Sequence, residues 1–245
     1  MQNDLVKNWD KLENNKNYLE TADIIISDRY RLISVLVSYI KYFSRPGQRI
    51  NILDLGCGDG ILSKNIYQAN KAVSITACDG SPSMLARARI NLKDIKNAEF
   101  LNYSFEEIME NPPFKKQYDF IVSSLAIHHL KIENKLAFFK MLYNLLAPDG
   151  HFVNIDSCTN NNKTLSAWYY QLWKEGILET QARLGIKDDY SAVPEQAPQK
   201  PENHYQDLDE QLEGLKKAGF KNVDCFYKYG IFCIYGGQRI AVKNY

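Results

Sequence analysis

In Asn51-Ile-Leu-Asp-Leu-Gly-Cys-Gly-Asp-Gly60 an apolar run that begins at Ile50 meets three glycines at alternate positions, Gly56, Gly58 and Gly60. The run has the length and composition of a buried strand, the glycines force a tight turn, and Ile61 to Ala69 carries apolar residues at helical spacing. Strand, glycine turn and helix make the first half of a nucleotide-binding βαβ unit, in which absent side chains let a ligand approach the backbone. Val73-Ser-Ile-Thr-Ala-Cys-Asp79 reads as the second strand and ends in an acid. An acid about 20 residues beyond such glycines is placed to hold a ribose hydroxyl pair, so the ligand reads as adenosine-like.

The turn also says what the ligand lacks. A pyrophosphate wants bare amides and the positive end of a helix dipole, whereas here Asp54 ends the strand and Asp59 sits inside the turn. The glycine spacing departs from G-x-G-x-x-G as well. A ribose-bearing ligand without phosphate, carrying cationic amino and sulfonium groups, suits an acidic loop: S-adenosylmethionine. Asp54-Leu-Gly-Cys-Gly-Asp-Gly60 resembles the glycine loop of class I S-adenosylmethionine-dependent methyltransferases.

Length and composition bound the reading. A chain of 245 residues accommodates one large domain or at most two small ones. Thirty basic and 29 acidic residues leave a net charge of +1, so no overall field recruits DNA, RNA or a membrane. Five scattered cysteines without C-x-x-C spacing read as reduced thiols. The absence of an apolar leader or a long apolar run predicts a cytoplasmic protein, and monomer and homodimer both stay open.

Around the glycine loop the chain alternates strands and helices. Apolar positions between Asp23 and Phe43 predict one or two amphipathic helices stopped by Pro46-Gly47. Ser81 and Pro82 open the helix after the second strand. Ala98 to Tyr103, Tyr118 to Ser124 and His151 to Asp156 read as strands three to five, with a helix from Asn134 to Leu146 ended by Pro148-Asp-Gly150. Trp168, Tyr169, Tyr170 and Trp173 cluster on a further helix, and Tyr190 to Tyr205, with three prolines, reads as a loop or lid. Leu208 to Ala218 reads as a helix stopped by Gly219, and a strand pair turns at Gly230.

Further stretches carry the resemblance: Ser123-Ser-Leu-Ala-Ile-His-His-Leu130, Phe152-Val-Asn-Ile-Asp156, Ala218-Gly-Phe220 and Tyr235-Gly-Gly-Gln-Arg239. They are similar to a bacterial group of class I methyltransferases related to carboxy-S-adenosylmethionine synthase. The resemblance implies an α/β, Rossmann-like seven-stranded sheet, order 3-2-1-4-5-7-6 with the last strand antiparallel, in a single domain. Residues 1–48 would form a helical cap, 49–157 the cofactor-binding core, 158–207 a substrate insertion, and 208–245 the last helix and strand pair. Tyr30, Asp54, Gly56, Cys57, Gly58, Asp79, Gly80, Met84, Ser104, Phe105 and Ser123 become candidates for holding S-adenosylmethionine. Met84 and Phe105 would pack on adenine, Ser104 stands where relatives place an Asp for the adenine amino group, and Tyr30 would meet the cofactor's carboxylate. Trp9, Tyr18 and Arg29 are further candidates to cover it.

His128 and Asp156 lie at the carboxyl ends of their strands, where open parallel sheets bind ligands, and are the candidates for positioning or acid-base work. Adjacent His128 and His129 cannot both face one site and lack the spacing of a helical metal pair, so no metal site is expected. The implied activity is methyl transfer to an oxygen or nitrogen of a small-molecule acceptor, with S-adenosylhomocysteine as product. RNA modification would call for a basic groove or an added module. A carboxy-S-adenosylmethionine synthase would need an arginine ahead of the last helix, and none lies between Arg183 and Arg239. A non-enzymatic cofactor-binding role is a third reading, since no catalytic residue is obligatory.

Overall fold

The computed structural model describes residues 12–45 and 47–241. Trp9 and Pro46 therefore lie outside the described residues. Two helices come first, α1 (Leu12–Ile25) and α2 (Arg29–Phe43), separated by a corner in which Asp28 takes a left-handed backbone. Then follow β1 (Ile50–Leu55), α3 (Ile61–Ala69), β2 (Val73–Asp79), α4 (Pro82–Asn91), β3 (Ala98–Asn102), α5 (Phe105–Glu110) and β4 (Tyr118–Ser124). A single 3₁₀ turn, Ile127–His129, leads to α6 (Ile132–Leu145) and β5 (Leu146–Ser157). The chain ends in α7 (Lys163–Leu184), a short α8 (Val193–Gln196), α9 (Leu208–Ala218), β6 (Lys221–Tyr229) and β7 (Phe232–Gln238).

The seven strands form one sheet in the order β3-β2-β1-β4-β5-β7-β6. Pairings from β3 to β5 are parallel, and β7 runs antiparallel to both of its neighbours, as expected from the sequence. Strand β1 is central because it is apolar on both faces: Ile52, Leu53 and Leu55 are wholly buried. One apolar cluster packs α2, α3 and α4 on one face of the sheet, and a second packs α6 and α9 on the other.

Two elements differ from expectation. The helix before β5 ends one residue early, and Pro148-Asp149-Gly150 lies inside the strand as an outpocketing, because the register with β4 jumps from Tyr118↔Leu146 to Phe120↔His151. Asp149 takes a positive φ of 64° there. The proline-rich segment holds α8 and a 3₁₀ turn, Ala197–Gln199, rather than plain loop. All five cysteines are free, and the buried Cys158 and Cys233 thiols lie 3.1 Å apart. Among the described residues no helix is long and apolar enough to cross a membrane.

The insertion between β5 and α9 is fastened at both ends. Trp173 of α7 donates its indole N–H to the Ile25 carbonyl at 2.5 Å, and a Cβ on Gly176 would stand 2.6 Å from Ser27 Oγ. Helix α7 thus rides directly on the α1–α2 corner. Farther on, the His204 amide donates to the His128 carbonyl at 2.8 Å, Lys135 Nζ donates to the His204 carbonyl at 3.0 Å, and the Thr159 amide donates to the Gln206 carbonyl at 2.9 Å.

Candidate functional site

A cleft opens over the carboxyl ends of β1, β2 and β4, the place where an open parallel sheet leaves room for a ligand. It encloses about 1020 Å³, open solvent at the mouth included. Its floor is the glycine turn. Gly56, Gly58 and Gly60 all take positive φ, 64°, 54° and 80°. At Gly56 a Cβ would stand 2.4 Å from Ala126 Cβ, so no larger residue fits between β1 and the tip of β4. The Cys57 amide donates to the Cys78 carbonyl at 3.1 Å, tying the turn to β2.

Asp79 closes the turn from the side. One carboxylate oxygen accepts the Gly58 amide and the other the Ser81 amide, each at 2.8 Å. A carboxylate has about four acceptor directions, so two remain for hydroxyl donors. Burial pushes the Asp79 carboxyl up, and the two amides offset this only in part. Asp54, at the end of β1, is 1 % exposed. Its Oδ2 accepts Ser63 Oγ at 2.6 Å, while Oδ1 is buried with no hydrogen-bond partner among the described residues. Burial carries its pKa to about 7 against the Ser63 hydrogen bond, with Asp79 adding to the rise. An orphaned carboxylate oxygen in a cleft wall is a place for a cation or a donor to complete.

Gly80, Met84, Ser104 and Phe105 also line the cleft, at the β2 and β3 end. Ser104 caps α5: its Oγ accepts the Glu107 amide at 3.2 Å while Glu107 accepts the Ser104 amide at 2.7 Å. Tyr18 and Arg29 stand at the mouth, and Arg29 pairs with Asp23 at 2.6 Å. Tyr30 does not stand with them. One residue beyond Arg29 on the same helix, it is rotated about 100° away and is 84 % exposed. Ser123 is corrected in the same way. It is buried within the sheet with its Oγ donated to the Leu55 carbonyl at 2.7 Å, and Ser124 takes the place in the wall. Next to it Leu125 holds a strained left-handed φ of 53°.

His128 and Asp156 are brought together, Nδ1 to Oδ1 at 2.5 Å, but both stand behind the cleft wall rather than in it. Asn154 extends the group, donating to Asp156 Oδ2 at 3.1 Å and to Tyr235 Oη at 2.9 Å. Burial raises the Asp156 carboxyl, but His128, Lys135 and the Ser157 amide together outweigh it and leave the group below the ordinary carboxylate range. The histidine in the wall is His129. Its Nδ1 lies 3.1 Å from the Glu202 carbonyl, which only accepts, so Nδ1 carries the proton. Burial and then His128 push its pKa down to about 3, which keeps the ring neutral. Sequence reasoning set His129 aside because nothing local tells which of two adjacent histidines a 3₁₀ turn will face inward. Among the described residues no group of three or more His, Cys, Asp or Glu side chains could hold a metal ion.

The chain is similar to known proteins in both sequence and fold. Residues 53–152, which run from within β1 into β5, match the family described as "Methyltransferase domain". Malonyl-[acyl-carrier protein] O-methyltransferase 1 of Ilyobacter polytropus is 34% identical over 125 residues, covering 51% of this chain and 42% of that protein. The carboxy-S-adenosyl-L-methionine synthase of Helicobacter pylori is 25% identical over 190 residues, 77% of this chain and 75% of that one. The chain spans about half the length of the Ilyobacter relatives it matches, 42% of O-methyltransferase 1 and 52% of malonyl-[acyl-carrier protein] O-methyltransferase 2 of the same organism. Among solved structures, the CurJ carbon methyltransferase superposes with a TM-score of 0.66 at 16% identity, over 93% of this chain and 60% of that one. Residues 53–152 are thus similar to a methyltransferase domain, and they lie in a seven-stranded sheet whose order, β3-β2-β1-β4-β5-β7-β6, is the one the sequence resemblance implies.

Proposed function

We propose that the chain is a methyltransferase that takes S-adenosylmethionine into the acidic cleft and transfers its methyl group to an oxygen or nitrogen of a small molecule. The observation that carries this reading is the unpartnered Asp54 Oδ1 in a wall that also holds Asp59 and Asp79. Such a wall favours a cationic ligand and disfavours a phosphate. When bound, S-adenosylmethionine supplies a methyl group on a sulfonium, which is already a good leaving group.

The chain's own residues then have to hold, orient and dry the reacting groups. Asp79 offers its spare acceptor directions to the ribose hydroxyls, Asp54 completes its hydrogen bonding with the ammonium group, and Arg29 meets the carboxylate. Met84 and Phe105 flank the adenine, Gly56, Cys57, Gly58 and Gly80 present backbone, and Ser104 offers a hydroxyl. The helices before β1 cover the cleft, and the insertion at 158–207 forms the acceptor side. His128 and Asp156 act as positioning residues that fix the turn carrying His129. Alignment in a closed pocket supplies roughly 7 to 11 kcal/mol of barrier lowering, which is why the reaction asks little of any single side chain.

Transfer of label from S-adenosylmethionine across a metabolite panel tests the reading. Labelled product is expected, and tight cofactor binding with no transfer to any compound would overturn it. A second reading rests on the Helicobacter pylori likeness, which covers 77% of this chain: synthesis of a carboxylated cofactor. Mass spectrometry of the compound that copurifies separates the two.

A further inference from the structure

We propose that Asp23 is a positioning residue: its carboxylate holds the Arg29 guanidinium at the mouth of the cleft, clear of the acids inside, where it meets the carboxylate of the cofactor. The inference rests on the methyltransferase reading above and adds to it a residue that sets the preference for a cofactor with an amino-acid end. Three observations carry it.

First, Arg29 stands where a helix disfavours it. It opens α2, whose first turn holds no acid and carries Arg31 as well, and cations are unfavourable at the positive end of the helix dipole. Helix stability does not account for this cation, and Asp23 on α1 supplies the compensating charge, its Oδ1 accepting Arg29 Nη1 at 2.6 Å. Second, the guanidinium stands between two sets of carboxylates. Arg29 is the only Arg or Lys among the described residues that line the cleft, and Asp54, Asp59, Asp79 and Glu106 line it too. The charges felt at the Tyr18 hydroxyl, also at the mouth, are Arg29 first and then Asp59, Asp23 and Asp79. Without Asp23 a long, flexible cation is drawn inward to Asp79 and takes the acceptor directions that a ribose needs. Third, the pair is offered by a fixed frame. The corner between α1 and α2 is tied down where Trp173 donates to the Ile25 carbonyl, where Gly176 packs against Ser27, and where Tyr227 Oη donates to Asp28 Oδ2 at 2.9 Å. A surface ion pair contributes little when both side chains wander; here the backbone that carries them is anchored.

The exposures decide the sign of the effect. The Arg29 side chain is 15% exposed and that of Asp23 79%. Water screens Asp23 from an incoming carboxylate, while the largely enclosed guanidinium keeps more of its charge for it. The pair engages only Nη1, so the guanidinium fork keeps donors for a second carboxylate. Asp23 thus steers Arg29 toward the cofactor rather than competing with it.

The test titrates the whole chain with S-adenosylhomocysteine and with its decarboxylated analogue, which keeps adenine, ribose, sulfur and the ammonium group. The parent is expected to prefer S-adenosylhomocysteine. Asp23→Ala is expected to weaken S-adenosylhomocysteine about 5-fold and to leave the analogue unchanged, with Asp23→Glu restoring the preference. The exchanged pair, Asp23→Arg with Arg29→Asp, re-forms the ion pair across the corner but is expected to lose the preference, because the cation then stands on the solvent side. A purely structural role would be rescued by that exchange. A parent without the preference, an Asp23→Ala variant that is unchanged, weakened equally for both compounds or tighter for S-adenosylhomocysteine, or an exchanged pair that keeps the preference would overturn the inference. A parent that binds neither compound would overturn the underlying reading, and the inference with it.

Discussion

Asp54 carries its carboxyl at a pKa of about 7 because burial outweighs the Ser63 hydrogen bond. In an unfolded chain the same group titrates near its ordinary 3.8. Between those values the folded protein holds a proton that the unfolded chain has released. The contribution of Asp54 therefore lowers the stability of the ligand-free protein as pH rises through this window. A cofactor ammonium beside Oδ1 favours the charged form. Affinity for S-adenosylhomocysteine is thus expected to rise with pH up to about 7, with proton release measurable by calorimetry in buffers of different ionisation enthalpy; Asp54→Asn should flatten the dependence. Asp79→Ala makes a simpler case. Removing hydrogen bonds to a charged group costs about 1.5 to 3 kcal/mol, or roughly 10- to 150-fold in affinity, which titration calorimetry reads directly.

At the scale of elements, the β1–turn–α3 unit depends on one tight approach. Gly56→Ala must place a Cβ against Ala126 in a left-handed backbone and is expected to cost about 2 to 4 kcal/mol in urea unfolding. Gly58→Ala has the same backbone strain but nothing within 4 Å, so about 1 kcal/mol is expected. This unit was also the most legible part of the sequence. Strand, glycines, helix and acid each impose a pattern on neighbouring residues, and Asp79 does reach the Gly58 amide. What stayed hidden depends on rotation rather than on pattern. Arg29 and Tyr30, or His128 and His129, are equally good candidates in one dimension, and a turn of the backbone sends one inward and its neighbour elsewhere. Asp54 Oδ1 was invisible for a related reason: an orphaned oxygen is defined by what packs around it.

Across the whole molecule, α7 joins the helices before β1 to the insertion through Trp173, whose indole spans to Ile25. Trp173→Ala is expected to cost about 3 to 5 kcal/mol, the range for a buried aromatic. Hydrogen exchange should then quicken in α1 and α7 together and leave β1 to β4 protected; quickening in α7 alone would show that the two layers move independently. S-adenosylhomocysteine is expected to slow exchange in both layers of the parent protein.

The position of β7 has a consequence for how the chain is made. It follows β6 in sequence yet lies between β5 and β6, so on a translating ribosome β6 has no strand partner, and β5 is paired on its β4 side alone, until β7 has emerged. Until then β5 presents an open edge of the kind that invites pairing with other nascent chains. Completion of the sheet is a post-emergence event, and a chaperone acting on this protein would be guarding that slot.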